Sequence, residues 1–378
     1  MYGSTLKLAQ ELINIPSVSP DDLGCQDILI HRFQRCGFTV EQINFKNTRN
    51  LWAWKGTGGK TLCFAGHTDV VPTGLKDQWF FPPFCATIKN GFLFGRGSAD
   101  MKGALAAMVV AVENFLMKKK KYFGRISFLI TSDEESSGKY GTKKVVSILK
   151  NRNELIDYCI IGEPTSENIV GDCIKNGRRG SMSAKLIIYG IQGHIAYPHL
   201  AVNPIHKSLP FLSELSTLLL DEGDIFFLPS QIQISKIQIC RQYSSNMIPG
   251  FIKIAFNIRF NNILTDQNIQ NIIINLLKKH LLHYSIQWTI HAQPYFSKIN
   301  FLSKIISESI FFYNKITPKI STSGGTSDGR FIHNIAKEII EFGLENLTIH
   351  KINECINIKH LYLLQKIYER ILCKIFSN

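Results

Sequence analysis

The sequence predicts an α/β fold: a mostly parallel sheet flanked by helices, interrupted by an inserted ferredoxin-like α+β domain. Up to about residue 179, short apolar segments typical of buried strands alternate with helical segments, as in a parallel sheet covered on both faces. After Gly180 the predicted order becomes β-α-β-β-α-β, the split βαβ arrangement of ferredoxin-like domains. Helical patterns return from about residue 295. We therefore expect one discontinuous domain, residues 1–179 and 295–378, with residues 180–294 as the insert.

Hydrophobic periodicity gives the elements of each part. The first part is predicted to contain helices at 4–15, 26–35, 101–117 and 141–150, strands at 61–65, 125–131 and 157–161, and a hairpin near 50–54. The insert is predicted to contain strands at 181–189, 231–239, 250–259 and 284–291 and helices at 203–220 and 265–282. Helices at 301–312 and 360–376 are predicted for the last part.

The formal net charge of +14 leaves several kinds of partner open. A basic balance is typical of proteins that bind nucleic acid, an anionic membrane or an acidic small molecule. The chain is also rich in lysine, asparagine and isoleucine. An AT-rich genome enriches proteins in these residues, so genome composition would explain the positive charge as well. The lysine run at 118–121 ends a predicted helix, and no aromatic residues interleave with it as they do on single-strand-binding surfaces. We therefore expect no nucleic-acid partner.

Cysteine usage and the lack of long apolar segments predict a cytoplasmic protein. The nine cysteines are odd in number, and several lie inside apolar segments such as TLCFAG and DYCIIG, as expected of free thiols in a reducing compartment. No stretch reaches about 18 apolar residues, the length that crosses a bilayer, and the first residues lack the pattern of an export signal. We expect no membrane partner.

Acidic and imidazole side chains follow several predicted strands or lie in loops of the same kind. They are His67, Asp69, Asp100, Glu134, Glu135, Glu163 and His350. Ligands of an open α/β sheet bind outside the carboxyl ends of its strands, so residues from distant parts of the chain are expected to meet there. Because so many carboxylates would repel one another, a pair of divalent metal ions among them is the simplest expectation.

Each of these motifs alone also has an ordinary structural interpretation. His67 suits a metal ligand with Asp69 as the residue that orients its ring, but a histidine and an aspartate in a turn are common. Asp100 directly precedes an apolar helix, where a carboxylate also serves as an N-cap. Glu134 and Glu135 divide naturally into a general base and a ligand. Their joint occurrence after several strands favours the metal site.

The motifs resemble those of the zinc-dependent aminoacylase and carboxypeptidase superfamily, and the resemblance covers nearly the whole chain. GHTDVVPTG, WFFPPF, GRGSADMKG, TSDEE and IGEPT are similar to the superfamily's motifs. NGRRGSMS, GHIAYPHLAVNPIH, SGGTSDGRF and TIHKINE are similar to those of its desuccinylase branch. The resemblance implies a di-zinc peptidase-like catalytic domain at 1–179 and 295–378 and a dimerisation and lid domain at 180–294. A homodimer is therefore expected.

The same resemblance implies a role for each metal-site residue. Asp100 would bridge two zinc ions, with His67 and Glu163 on one ion and Glu135 and His350 on the other. Cobalt would also serve. Glu134 would be the general base, and the Asp100–Met101 peptide would be cis.

The inserted domain would supply further functional residues. His194 would cross a dimer interface to stabilise the tetrahedral oxyanion in the neighbouring subunit, although a hydrogen-bonded structural histidine is the ordinary alternative. Candidates for holding the substrate's carboxylates are Arg178, Tyr197, Asn246, Arg259, Gly325 and Thr326. Arginine suits this task because its planar fork matches a carboxylate in two parallel hydrogen bonds.

The resemblance implies an enzyme of amino-acid biosynthesis. We expect a metal-dependent amide hydrolase that converts N-succinyl-LL-2,6-diaminopimelate and water to succinate and LL-2,6-diaminopimelate, for lysine and cell-wall synthesis. Its partner would be a small substrate bearing carboxylates. A deacylase of the acetylornithine type, a dipeptidase, and a catalytically silent binding protein of the same fold remain the alternatives. The presence of Glu134 disfavours the last, because a binding protein needs no general base.

Overall fold

The computed structural model describes residues 3–239 and 244–376, which fold into two compact units. The first unit comprises Met1–Gly177, Phe296–Ser321 and Ser327–Asn378, and the second comprises Arg178–Tyr295 and Thr322–Thr326. The second unit therefore includes a short segment, Thr322–Thr326, that the sequence assigned to the discontinuous domain. The assignment of catalysis to one domain and dimerisation to the other stays a prediction.

Helices occur in both units. Within the described residues they are α1 (Gly3–Ile13), α2 (Cys25–Arg35), α3 (Gly103–Lys118), α4 (Thr142–Asn151), α5 (Pro204–Thr217), α6 (Asp266–Lys279), α7 (Phe301–Asn314), α8 (Gly329–Ile332) and α9 (Ile358–Ile375).

The strands follow the chain in two groups. Before the inserted segment they are β1 (Thr39–Gln42), β2 (Asn50–Lys55), β3 (Thr61–His67), β4 (Thr87–Lys89), β5 (Phe92–Phe94), β6 (Arg125–Thr131), β7 (Ile156–Ile161) and β8 (Cys173–Lys175). The later ones are β9 (Gly177–Arg178), β10 (Gly180–Tyr189), β11 (Gly193–His194), β12 (Gln231–Ile239), β13 (Met247–Ile248), β14 (Phe251–Phe260), β15 (Tyr284–Ala292), β16 (Tyr295–Phe296), β17 (Lys319–Ser321), β18 (Ala336–Glu341) and β19 (Cys355–Asn357).

An eight-stranded sheet forms the centre of the first unit, in the order β1-β2-β6-β3-β7-β18-β8-β17. Its central strands run parallel, since β3 pairs in parallel with both β6 and β7, and β18 pairs in parallel with β7. Helix α3 is apolar on nearly all sides and is buried over most of its length in the main core, together with the inner face of α9. The predicted mostly parallel α/β class is confirmed.

Strand β18 was not predicted from the sequence, although it lies inside this sheet, between β7 and β8. Its segment AKEIIE carries charges at Lys337, Glu338 and Glu341, so it lacks the continuous apolar run of a buried parallel strand. Glu341 is nevertheless fully buried and accepts a hydrogen bond from the Ser327 hydroxyl. A buried partner for a charged residue is a tertiary feature that local periodicity does not reveal.

The second unit contains a four-stranded antiparallel sheet in the order β12-β14-β10-β15. Alternate residues of β14, including Ile252, Ile254, Phe256 and Ile258, are buried with α5 and α6 in a separate core. The Asn203 side chain caps α5, and Thr265 begins α6 with a capping box. The predicted β-α-β-β-α-β order is confirmed by β10, α5, β12, β14, α6 and β15.

Helices long and apolar enough to cross a lipid bilayer are absent from the described part of the chain.

Candidate metal centre

The order of the central strands explains why three predicted site segments meet. Strand β3 ends at His67 and lies between β6 and β7. Glu134 and Glu135 come shortly after β6, and Glu163 comes shortly after β7. The carboxyl ends of parallel neighbours lie at the same edge of a sheet, so these side chains flank His67 from both sides.

Asp100 enters this cluster from the loop before α3. The helix begins at Gly103, and no side chain caps its N-terminus, so the N-cap interpretation of Asp100 is wrong. Its Oδ1 lies 3.2 Å from His67 Nε2, and its Oδ2 lies 3.4 Å from His350 Nε2. The Asp100–Met101 peptide is cis, as the resemblance implies. One carboxylate thus presents each oxygen to a different imidazole.

Two further carboxylates complete the arrangement around Asp100. Glu135 Oε1 lies 3.0 Å from His350 Nε2, and Glu163 Oε1 lies 3.7 Å from His67 Nε2. Ligand atoms of His67, Asp100 and Glu135 all lie within 4.8 Å of one another, and the same holds for His67, Glu134 and Glu163. The structure therefore brings together all seven residues that the sequence predicted for this site, with Asp69 beside His67.

Asp69 orients its neighbours differently from the way the sequence suggested. His67 Nδ1 donates to the main-chain carbonyl of Asp69 at 2.8 Å, while the Asp69 carboxylate is 3.7 Å from that nitrogen. The carboxylate instead accepts the main-chain N–H groups of Glu134 and Glu135, at 3.3 and 3.0 Å. Asp69 is fully buried, so it fixes both the ring of His67 and the backbone of the glutamate pair.

Electrostatics at the site reflect crowding of like charges. Burial opposes protonation of His67, but the surrounding carboxylates, Asp100 first, outweigh it and raise its pKa well above the usual range. The hydrogen bonds that His350 donates to the carboxylates of Asp100 and Glu135 raise its pKa to about 10. Burial, and then the charge of Glu163, raises the pKa of Glu134 well above that of an exposed glutamate. Without a metal ion, protonated imidazoles supply the positive charge that the carboxylates need.

The donor set fits divalent metal ions of the zinc type. Two imidazoles and several carboxylate oxygens converge there, the combination that zinc and cobalt accept. His350 also has a left-handed backbone, with φ of 60°, which is uncommon outside glycine and is found where a functional position overrides local preference. The residues present therefore suit a pair of cations that share Asp100.

Sequence reasoning missed three buried carboxylates next to the candidate ligands. They are Asp133, Asp328 and Glu354. Asp133 accepts from the Ser136 hydroxyl at 2.5 Å and from Tyr140 N at 3.0 Å, and so closes the loop after Glu135. The signal was present, because each lies inside a motif already singled out, TSDEE, SGGTSDGRF or TIHKINE. These three residues were missed because the sequence does not distinguish a buried supporting carboxylate from a metal ligand.

The remaining predicted residues belong to the second unit. Arg178 is largely buried and donates from Nη1 to the carbonyl of Ser323 at 2.8 Å, beside Gly324, where a side chain would collide with the guanidinium. The neighbouring Gly325 and Thr326 lie in the same short segment. Arg178 is thus brought to the glycine-rich segment predicted to bind substrate.

Three of the other predicted residues of this unit, His194, Tyr197 and Asn246, lie in neighbouring segments. His194 is exposed in β11, and its Nδ1 accepts from Ala196 N at 3.1 Å. The Tyr197 ring lies 5.6 Å from the His194 ring, and Asn246 accepts through its carbonyl from Ile195 N. Arg259 lies at the end of β14 instead, where burial lowers its pKa.

The fold and the ligand cluster are those of a metal-dependent hydrolase, and comparison with known proteins agrees. The family model described as peptidase family M20/M25/M40 matches residues 63–374. The chain belongs to this family.

Two relatives from Buchnera aphidicola match the chain over its whole length. A succinyl-diaminopimelate desuccinylase of subspecies Cinara cedri is 58% identical, covering 99% of this chain and 100% of that protein. Another from subspecies Acyrthosiphon pisum, strain APS, is 53% identical and covers 100% of both.

Solved structures share the fold at low identity. The M20 metallo-carboxypeptidase Sso-CP2 from Sulfolobus solfataricus has a TM-score of 0.78 at 18% identity, covering 97% of this chain and 98% of that chain. A tripeptidase from Staphylococcus aureus has a TM-score of 0.79 at 19% identity, covering 100% and 99%.

Metal binding to the metal-free protein should release protons. At pH 7 the raised pKa values keep His67 and His350 protonated, and a metal ion binds only neutral imidazole. The apparent affinity for Zn²⁺ should therefore rise with pH as these imidazoles lose their protons, a range that for His350 extends to about pH 10. Calorimetric titration in buffers of different ionisation enthalpy measures the protons released.

The histidine variants supply the control for this titration. Replacing His350 by Gln should lower by about one the number of protons released when Zn²⁺ binds at the Glu135 and His350 site. Replacing the exposed His31 by Gln should leave that number unchanged. Zn²⁺ binding without proton release would contradict the charge state inferred for the site.

Proposed function

We propose that the chain hydrolyses the amide of N-succinyl-LL-2,6-diaminopimelate to succinate and LL-2,6-diaminopimelate, and so serves lysine and cell-wall synthesis. The observation that carries a hydrolytic metal centre is the Asp100 carboxylate, whose two oxygens face two different imidazoles. Support for this particular substrate comes from relatives 58% and 53% identical over the full chain that are named for it. The cytoplasmic location expected from the cysteines stays a prediction.

The activity assay is a direct comparison of substrates on the Zn²⁺-loaded protein. Release of succinate from N-succinyl-LL-2,6-diaminopimelate should exceed release of acetate from N-acetylornithine and cleavage of a dipeptide in kcat/KM. Faster turnover of N-acetylornithine would replace this proposal by a deacylase of that type. Two bound metal equivalents without hydrolysis of any of the three would leave a binding protein.

The residues of this centre would hold two zinc ions, with cobalt as a substitute. Asp100 would bridge them, His67 and Glu163 would complete one site, and Glu135 and His350 the other. When bound, such a pair polarises the scissile carbonyl and lowers the pKa of the attacking water. Asp69 would hold His67 in the orientation that directs Nε2 to the metal.

Glu134 would act as the general base of this reaction. Burial and the neighbouring Glu163 raise the affinity of its carboxylate for a proton, which suits a group that takes the water's proton and passes it to the leaving amine. Its backbone is held by Asp69, which limits the movement of the side chain during that transfer.

Replacing Glu134 by Gln should lower kcat about 100- to 10,000-fold and leave the number of bound metal ions unchanged, since a base but no ligand is lost. The test is steady-state kinetics together with metal analysis. Glu134 also lies within ligand distance of His67 and Glu163, so loss of one metal equivalent would reassign it as a ligand. The exposed Glu167, replaced by Gln, is the matched control.

His194 would stabilise the oxyanion across the interface of a homodimer. Because its Nδ1 accepts a hydrogen bond from Ala196 N, the proton of the neutral ring lies on the exposed Nε2, which is then able to donate. A donor to a developing oxyanion acts mainly in the transition state. The dimer itself is part of this proposal.

Replacing His194 by Ala should lower kcat about 100-fold with the dimer intact. Turnover is measured alongside the mass of the particle in solution, and His199→Ala, at a neighbouring exposed histidine, is the control. Undiminished turnover in an intact dimer would refute this role.

Arg178 and Thr326 would hold a substrate carboxylate, with Tyr197, Asn246, Arg259 and Gly325 as further contacts. The Arg178 guanidinium is already oriented by the Ser323 carbonyl, and the planar fork of an arginine matches the geometry of a carboxylate. Burial lowers the pKa of Arg259 and so favours an anionic partner there too.

Replacing Arg178 by Lys should raise KM for the succinylated substrate about tenfold, because an ammonium group cannot form the paired hydrogen bonds of a guanidinium. Initial-rate kinetics measure it, with the exposed Arg152→Lys as control. An unchanged KM would remove Arg178 from the binding site.

A further inference from the structure

A buried carboxylate outside the proposed ligand set, that of Glu354, accepts hydrogen bonds from the backbone around Asp100. Glu354 Oε1 accepts from Ala99 N at 2.9 Å and from Asp100 N at 3.1 Å. Its Oε2 accepts from Gly97 N at 3.0 Å. The residue is fully buried, so these charge-assisted hydrogen bonds are made without competition from water.

Glu354 also belongs to the segment that carries another ligand. It follows His350 by four residues, and its carboxylate reaches a loop some 250 positions earlier in the chain. One side chain therefore connects the backbone of Asp100 directly to the chain segment of His350. These are the two residues whose side chains lie 3.4 Å apart in the candidate centre.

Arg96 neutralises the charge of Glu354 and links it to the segment that follows Asp69. It donates from Nη1 to Glu354 Oε2 at 2.8 Å and to the carbonyl of Lys351 at 3.1 Å. From Nη2 it donates to the carbonyl of Pro72 at 3.2 Å, in the segment that follows His67 and Asp69. Arg96 is as deeply buried as Glu354, so the pair is shielded from solvent and from salt.

We propose that Glu354 is a positioning residue for the metal centre. It fixes the position and orientation of the Asp100 carboxylate relative to His350. The two oxygens of that carboxylate can then face His67 and His350 at the same time. The inference rests on the proposed metal-binding function and adds to it a residue outside the ligand set. Supporting groups of this kind typically account for about 10- to 100-fold in metal affinity.

The decisive variant is Glu354→Gln, which keeps the size of the side chain. Each carboxylate oxygen accepts at least two N–H groups, so in either orientation the new amide N–H₂ faces donors. The Asp100 loop must then shift. The expected result is a 10- to 100-fold loss of Zn²⁺ affinity, measured by competition with a chelator, and an altered visible spectrum of the Co²⁺-loaded protein.

The control separates positioning from general stability. Asp172 also accepts three main-chain N–H groups, from Glu167, Asn168 and Ile169 at 2.7–3.0 Å, in a loop without a proposed ligand. Asp172→Asn should lower the melting temperature of the metal-free protein and leave Zn²⁺ affinity and the Co²⁺ spectrum unchanged. A merely structural role for Glu354 predicts the same outcome for Glu354→Gln.

A second variant applies if Glu354→Gln does not fold. Glu354→Asp keeps the charge for Arg96 but shortens the reach, and it should still lower Zn²⁺ affinity. If the variant that folds has the Zn²⁺ affinity and the Co²⁺ spectrum of the unsubstituted protein, the role of Glu354 is refuted and the proposed function is not affected. Absence of Zn²⁺ binding by the unsubstituted chain would overturn the proposed function, and the inference with it.

Discussion

Repulsion among buried carboxylates at one edge of the parallel sheet is the constraint on which the rest of the site depends. Asp69, Asp100, Glu134, Glu135 and Glu163 converge there, and among the residues that the structure describes the imidazoles of His67 and His350 lie against them. Such a cluster is stable only when cations neutralise it or when protons are taken up, and the raised pKa values of His67 and His350 express that demand. The hydrogen bonds that Asp69 and Glu354 accept from the backbone of this cluster oppose that repulsion.

Much of this arrangement was predictable because it follows from strand order. Candidate ligands that directly end or follow apolar strands, such as His67 and Glu163, are visible in sequence, since the strand places them. The inserted unit was predictable too, from alternation in β10 and β14 and from the helical periodicity of α5 and α6. In these places local pattern and tertiary structure agree.

Other parts were hidden because their cause is not local. Strand β18 contains charged residues that only the folded core accommodates, and Asp69 acts through its main chain as much as through its carboxylate. The donors to Glu354 lie more than 250 positions away, a pairing that periodicity cannot suggest. Sequence patterns thus located the candidate metal ligands better than the groups that hold those ligands in place.

The long separation of the ligands has a consequence for biosynthesis. His350 meets Glu135 across 215 positions, and the whole inserted unit is encoded between them. During translation, residues 67–163 contribute the acids and one imidazole, and they are synthesised well before His350. Until His350 has been synthesised the site lacks its second imidazole, so capture of metal in the finished geometry must follow the synthesis and folding of the segment that carries this residue.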